Sequence, residues 1–278
     1  MDKGSIEKIK ILRYETKASL LDCKNAFIES EGNMEEAIKK LRRSGILKGM
    51  KKSIRKTSEG LIVLNINKDN SVGVLLEVNC ETDFVTRNED FINYVKFLSE
   101  LSVLNNLKNI ESLSVYKGEN ELSVENMRLE LVSKYGENIR IERIKYFEGI
   151  PGSVFGYVHG KGSLGSILSI KGKDYKLARD IAMHITAMNP MYLSRNLVPN
   201  DIVDEKKEIY LSETLKDCPN KDKTIITKIV DGKLEKDLNN IVLLNQIFVK
   251  TNKSKVSDII NGKIEIIDFI RFDVGKEI

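Results

Sequence analysis

The chain has 278 residues, 41% hydrophobic and 31% charged, a balance typical of globular domains and long enough for two or three of them. No apolar run reaches membrane-spanning length, and Met1-Asp-Lys-Gly-Ser-Ile6 lacks a signal peptide's apolar core, so no membrane role is expected. Cys23, Cys80 and Cys218 are far apart and without CxxC spacing, which fits reduced thiols, and with two histidines no structural zinc site or other metal is expected.

The net charge of +4 conceals an asymmetry. Nine of the 45 basic residues lie between Glu36 and Glu59 with no acidic one among them, leaving 36 basic against 41 acidic residues elsewhere. Such a run, Lys39 to Lys56, suits phosphates or an acidic protein surface, or serves as a solvated helix end and linker. It contains no aromatic residue for base stacking, so nucleic-acid binding is the alternative rather than the leading reading.

The first 45 residues read as three short helices. Ser5 caps the first, with Ile6, Ile9 and Leu12 on one face; Ser19, with Asp22, caps the second over Leu20, Cys23 and Phe27. Asn33 with Glu36 starts the third over Ala37, Ile38 and Leu41, and Gly32 and Gly45 stand just past the ends of the second and third. Lys48–Ser58 reads as a linker. Alternation over Leu61, Val63, Leu64 and Ile66 predicts a strand, and Asp69-Asn-Ser turns it back into Val72–Asn79 as a hairpin. A helix follows over Asp90–Leu101. Residues 104–122 give no clear pattern, Ser123–Tyr135 reads as helix and Ile139–Phe147 as strand.

Residues 150–190 repeat the earlier pattern. Leu164-Gly-Ser-Ile-Leu-Ser-Ile-Lys171 echoes Val72-Gly-Val-Leu-Leu-Glu-Val-Asn79, with Gly165 matching Gly73 and Ile170 matching Val78, and each copy leads into a helix. The second copy joins strand and helix by a short Gly172-Lys-Asp turn. The first spends about six residues more there, and they include Thr82, Asp83, Phe84 and Val85. An aromatic and a β-branched residue in a polar insertion suit a plug offered to a partner, or else Phe84 folds back over the strand end. Farther on, Pro199–Lys216 and Lys221–Leu238 read as antiparallel helices with Ile202, Ile209, Ile225, Ile229 and Leu238 in their seam. A short helix over Val256–Asn261 precedes a last strand with Ile264, Ile266, Ile270, Phe272 and Val274 on one face. The fold class is α+β, antiparallel sheets backed by helices.

No covalent chemistry is required by these residues. His184 lies on an apolar helix face, where a hydrogen-bonded core histidine is the simpler reading than a general base, and His159 follows a strand as an exposed contact candidate. Glu81 and Asp83, as alternate residues of a turn, diverge. Gly160-Lys-Gly-Ser-Leu-Gly165 opens a strand rather than a helix and so lacks a helix N-terminus for a pyrophosphate. The chain is not expected to be an enzyme or to need a cofactor; RNA binding through Lys39–Lys56 and, after it, an enzyme centred on His159 are the alternative readings.

The quoted residues, with Asp22-Cys-Lys, Glu31-Gly-Asn-Met-Glu-Glu-Ala-Ile38, Leu41-Arg-Arg-Ser-Gly45, Glu77-Val-Asn-Cys-Glu-Thr-Asp-Phe-Val85, Gly136-Glu-Asn-Ile139, His159-Gly160, Ile181-Ala-Met-His184 and Phe269-Ile-Arg-Phe-Asp-Val-Gly275, resemble the translation elongation factor Ts family along essentially the whole chain. The resemblance implies a ubiquitin-associated-like helical module over 1–47, a basic linker over 48–58, and core subdomains over 59–148 and 149–278, the second with a helical hairpin at about 199–238. It also implies a guanine-nucleotide exchange factor in translation elongation. The partner is elongation factor Tu in a bacterial cytoplasm or, alternatively, an organelle matrix, with no direct nucleic acid and with an oligomeric complex left open. Thr82, Asp83, Phe84 and Val85 would dislodge the GTPase's magnesium, with Arg13, His159, Gly160 and Leu164 as further contacts. Lys17 and Ser19 stand where the family commonly has glycines, Ile247 where it often has proline, and the sequence stops soon after Gly275, where many members carry another helix.

Overall fold

The computed structural model describes residues 3–16, 18, 20–117, 122–149, 151–219 and 221–276. Three helices come first, α1 (Lys3–Thr16), α2 (Leu20–Glu29) and α3 (Met34–Lys52), packed around Leu12, Cys23, Phe27, Ala37 and Leu41. Ser5 lies inside α1 rather than at its cap, and Lys17 and Ser19 lie outside the described residues. Asn33 does cap α3, its side chain accepting from the Glu36 N–H at 3.2 Å, and Gly32 adopts φ +82° past the end of α2.

The third helix does not stop at Gly45 as expected. It continues to Lys52, so the stretch read as linker, 48–58, begins as helix. The reason is packing. α3 lies on α7 (Val124–Tyr135), and a Cβ on Gly45 would come within 3.2 Å of Ser133 Oγ, one on Gly49 within 3.0 Å of Leu129. Both glycines serve close helix approach, which offsets their poor helix propensity.

Two three-stranded antiparallel sheets make the core. The first holds β1 (Glu59–Ile66), β2 (Val72–Cys80) and β3 (Ile139–Glu148), the second β4 (Ser153–His159), β5 (Leu164–Gly172) and β6 (Ile264–Asp273), each with its second strand central. Between β2 and β3 run α4 (Asp83–Thr86), α5 (Glu89–Leu104), α6 (Ile110–Val115) and α7; α8 (Tyr175–Met188) follows β5. One face of the first sheet packs on α5 and α7 through Val74, Leu76, Phe91, Val95 and Leu98. The equivalent face of the second packs on α8 through Leu168, Ile170, Ile181 and Ile185.

The remaining faces meet each other. Ile62, Leu75, Phe147, Val154, Ile167 and Phe272 form a shared core between the sheets. The repeat glycines permit it: a Cβ on Gly73 would lie 2.7 Å from Val154 Cγ1, and one on Gly165 2.8 Å from Ile62 Cγ2. Each copy also carries a register shift at the same place, between Glu77 and Val78 and between Ser169 and Ile170. The shift corrects the expectation for β6. Its extra residue reverses the side-chain alternation, so Ile264 and Ile266 face α8 while Ile270, Phe272 and Val274 face the other sheet.

Helices α9 (Asn200–Asp217) and α10 (Lys223–Ile241) form the inserted hairpin, crossed by Lys206 Nζ to Asp237 Oδ2 at 2.6 Å. Its seam holds Ile202 and Leu238 as expected, but Ile226, Val230 and Leu234 are buried in it while Ile209 and Ile225 are exposed. α11 (Val256–Ile260) precedes β6. No helix among the described residues is long and apolar enough to cross a membrane.

Candidate functional site

The two repeat copies differ most where the central strand ends. Eight residues, 81–88, join β2 to α5, whereas only Lys173 and Asp174 join β5 to α8. Within the longer junction Asp83–Thr86 closes one helical turn, stapled by the Thr86 hydroxyl donating to the Asp83 carbonyl at 2.7 Å. Successive residues of a helical turn point about 100° apart, and the two apolar residues separate accordingly. Phe84 is 76% exposed and Val85 only 4%, packed with Cys80 and Phe91 in the first subdomain core. Phe84 therefore does not fold back over its own strand, and Val85, expected in the plug, is instead its internal anchor.

Both carboxylates of the turn are engaged, and they diverge. Asp83 Oδ2 accepts from Arg87 at 2.5 Å, while Glu81 Oε1 accepts the Asn138 N–H at 2.7 Å and lies 3.6 Å from Arg55. Thr82 is held from across the sheet. Its N–H donates to Glu137 Oε2 at 3.1 Å and its hydroxyl to Glu137 Oε1 at 2.7 Å. Beneath it the buried Cys80 thiol donates to the Thr82 carbonyl at 3.2 Å. Burial, and after it the Glu137 carboxylate, pushes that thiol up to about 12, so it stays protonated and donates.

The β4–β5 hairpin lies close by. Gly160 and Gly162 adopt φ +59° and +94° in its turn, and the Ile62 N–H donates to the Gly162 carbonyl at 2.7 Å, tying the hairpin to β1. Gly160 and Gly162 thus form a strand-to-strand turn that opens β5, and Gly165 lies within that strand. A groove of about 850 Å³ results, lined by Leu61, Asp83, Arg87, Lys96, Gly160 and Lys161 among others. His159 is exposed at its edge-forming hairpin, its Nδ1 3.1 Å from the Tyr157 hydroxyl, and Leu164 is its half-buried cross-strand neighbour.

The structure thus brings Asp83 and Gly160 to one groove with Thr82, Phe84 and Val85 alongside. Arg13 is exposed near the end of α1, in the N-terminal helices, and does not line that groove. Arg87, Lys96, Lys161 and Glu137 carry no site signal of their own in the sequence beyond the Gly136–Ile139 motif that contains Glu137, and Glu81 enters there only as a carboxylate diverging from Asp83. His184 is a core residue, donating from Nε2 to Gln246 Oε1 at 2.9 Å and accepting the Val249 N–H at Nδ1, 3.2 Å. In the basic run Lys39, Lys40, Arg42 and Arg55 each pair with a carboxylate, so part of its charge is used within the fold. Among the described residues no cluster of His, Cys, Asp and Glu could hold a metal ion.

These features define a class: a two-sheet α+β protein built on an internal repeat, with an exposed aromatic turn in the first copy only. The family described as Elongation factor TS matches residues 81–276. Elongation factor Ts of Legionella pneumophila (strain Paris) is 37% identical over 270 residues, covering 96% of this chain and 90% of that protein. The one from Acidithiobacillus ferrooxidans (strain ATCC 53993 / BNL-5-31) is 37% identical over 278 residues, 99% and 92% respectively. That of Chlorobium phaeobacteroides (strain BS1) is 34% identical over 292 aligned positions, 99% and 100%. The chain belongs to the elongation factor Ts family and is a translation elongation factor of protein biosynthesis.

Proposed function

We propose that the protein is a guanine-nucleotide exchange factor for a Tu-type elongation GTPase, acting through the Thr82–Val85 turn on the partner's magnesium and phosphate site. One observation carries this reading: a phenylalanine ring 76% exposed on a turn that is anchored on its inner side and braced from a second segment. A solvated ring held this way is arranged for burial in a partner. Arg13, His159, Gly160 and Leu164 supply further contacts over a broader face.

The energetics require that breadth. A GTPase holds its nucleotide through phosphate contacts and a hydrated magnesium. A thousandfold faster release needs about 4 kcal/mol favouring the release transition state, and burying one phenylalanine ring supplies about 2–3 kcal/mol. The groove between the turn and the β4–β5 hairpin offers additional apolar and charged area. Tighter binding to the nucleotide-free GTPase must by linkage weaken nucleotide binding by the same factor, and no bond in the exchange factor itself is made or broken.

The test is release of labelled GDP from a Tu-type GTPase with and without the chain. Acceleration to a nucleotide-free complex is expected, and an unchanged rate at saturating protein ends this reading. Phe84→Ala is expected to keep the melting temperature and lower exchange by about tenfold or more, since the ring's burial at the partner contributes on the order of 1.5–3 kcal/mol. Tight RNA binding with steep salt dependence would instead favour the basic run as the functional element.

A further inference from the structure

The segment Gly136-Glu-Asn-Ile139 reaches the presented turn from 55 residues away in sequence. Helix α7 ends at Tyr135, and Gly136 takes φ +78°, its N–H bonding the Val132 carbonyl at 3.0 Å. That left-handed cap, disfavoured for residues with a side chain, turns the next two residues towards β2. Glu137 then receives both donors of Thr82, and the Asn138 N–H bonds Glu81. Asn138 Nδ2 donates to the carbonyls of Ser53 at 3.3 Å and Arg55 at 2.7 Å, so the same turn fastens the chain that follows α3.

Thr82 stands apart from the other Asn, Asp, Ser and Thr residues that cap α-helices among the described residues. Asn33, Asn88, Asn109, Ser123, Asp174 and Asp222 each accept a hydrogen bond from their own helix. Thr82 makes no such cap; its hydroxyl points away as a donor to Glu137. The one-turn helix thus relinquishes its own cap for a two-point attachment to a distant carboxylate. Such charge-assisted bonds are short and directional, and with Val85 buried on the inner side they fix which way Phe84 points.

We infer that Glu137 is a positioning residue for nucleotide exchange: it orients Phe84 through the two bonds it accepts from Thr82. This rests on the exchange reading above. Without the carboxylate the outward conformer of the turn is one of several, and the effective activity of the docked complex falls with its population.

The experiment combines exchange kinetics with hydrogen exchange on the free protein. Glu137→Ala is expected to lower the maximal GDP-release rate by roughly tenfold, as loss of a charge-assisted hydrogen bond implies, with the half-saturating concentration changing by less than about twofold because the wider face still docks. Hydrogen exchange at the Thr82 amide of the free variant should speed up by a similar factor. Glu137→Gln is expected to restore the rate to within about threefold, since its Oε1 accepts the Thr82 N–H and its Nε2 donates to the Thr82 hydroxyl oxygen. In a Phe84→Ala background Glu137→Ala should add almost nothing, the mark of residues acting as one unit. Should Glu137→Ala melt early, Thr82→Val, which keeps the N–H bond and loses the hydroxyl bond, carries the same double-variant test. A wild-type maximal rate for Glu137→Ala beside an active wild type, or an equal loss with and without Phe84, overturns the inference alone. A wild type that leaves GDP release unchanged overturns the exchange reading and the inference together.

Discussion

The two copies of the strand-strand-helix unit agree in their frame and differ in what their strand ends carry. Gly73 and Gly165 both sit where the sheets touch, and the register shifts fall at Glu77/Val78 and Ser169/Ile170. Past that point the second copy passes directly into α8, while the first inserts a braced turn that exposes Phe84. The difference teaches that the frame is set by packing on both faces of each sheet, and that a junction longer than the connection requires can anchor one side chain inward and turn its neighbour out to solvent. At the shift itself the first copy also has a buried Glu77 where the second has Ser169. Glu77 accepts from Arg143 Nε at 2.7 Å and from the Gly275 N–H at 3.1 Å, while Arg143 lies 4.2 Å over the Phe272 ring. It clasps the end of β6 to β2.

The largest effect should separate the copies at that clasp. Glu77→Ala leaves the Arg143 guanidinium, 17% exposed, without its carboxylate, and breaking a buried pair costs about 3–5 kcal/mol. Ser169→Ala should cost under about 1 kcal/mol. Urea unfolding measures both, and a Glu77→Ala loss no larger than that of Ser169→Ala would break the asymmetry. The glycines should instead behave alike. Alanine at Gly73 or Gly165 forces side chains apart at 2.7 and 2.8 Å, an overpacking cost of about 1–3 kcal/mol each. A cost at only one of them would show that the sheets do not approach each other symmetrically.

Within the inserted turn the split is finer. Val85→Ala should lower stability by about 1.5 kcal/mol, two buried methyl groups' worth, with Phe84→Ala leaving stability unchanged. Melting curves of the pair would reverse that order if Phe84 were a core residue and Val85 the presented one.

Much of this architecture was legible in the sequence, since the strands, the repeat and the helical hairpin announce themselves by alternation, matched glycines and turn residues. The failures have physical reasons. Gly45 read as a helix end because a glycine stop and a glycine for close packing against α7 look the same locally. The first half of the α10 seam lies one residue on from Ile225 and Ile229, with Leu238 in place, because Ile225-Ile226 and Ile229-Val230 offer two adjacent apolar stripes and only the partner helix chooses between them. The β6 face cannot be read from its alternation, because the bulge that reverses it is set by pairing with β5. In the candidate site Phe84 was visible as an oddity of the insertion. Val85's inward direction and the Glu137 brace depend on a one-turn helix and a contact across the sheet, neither of which has a local signature.

The smallest effect concerns pH and again sets the copies apart. Counting from the start of each helix, His184 of α8 stands where α5 has Leu98, and both are fully buried. Burial lowers the His184 pKa below its ordinary value, with the Gln246 bond opposing the shift in part. The Val249 N–H donates to Nδ1, so protonating that nitrogen would also break a hydrogen bond. In the unfolded chain the imidazole takes up its proton near pH 6.5, whereas the folded chain takes it up only at lower pH. Below about 6.5 the unfolded state therefore binds more protons, and stability falls with pH until the folded midpoint is passed, by at most about 1.4 kcal/mol per unit. Other groups titrate in the same range, so the quantity to measure is a difference: the stability change from pH 7.5 to 5.5 in wild type against His184→Gln. The wild type is expected to lose more stability over this interval than the variant. Equal declines would mean that His184 does not make the second copy more sensitive to acid than the Leu98 side chain makes the first.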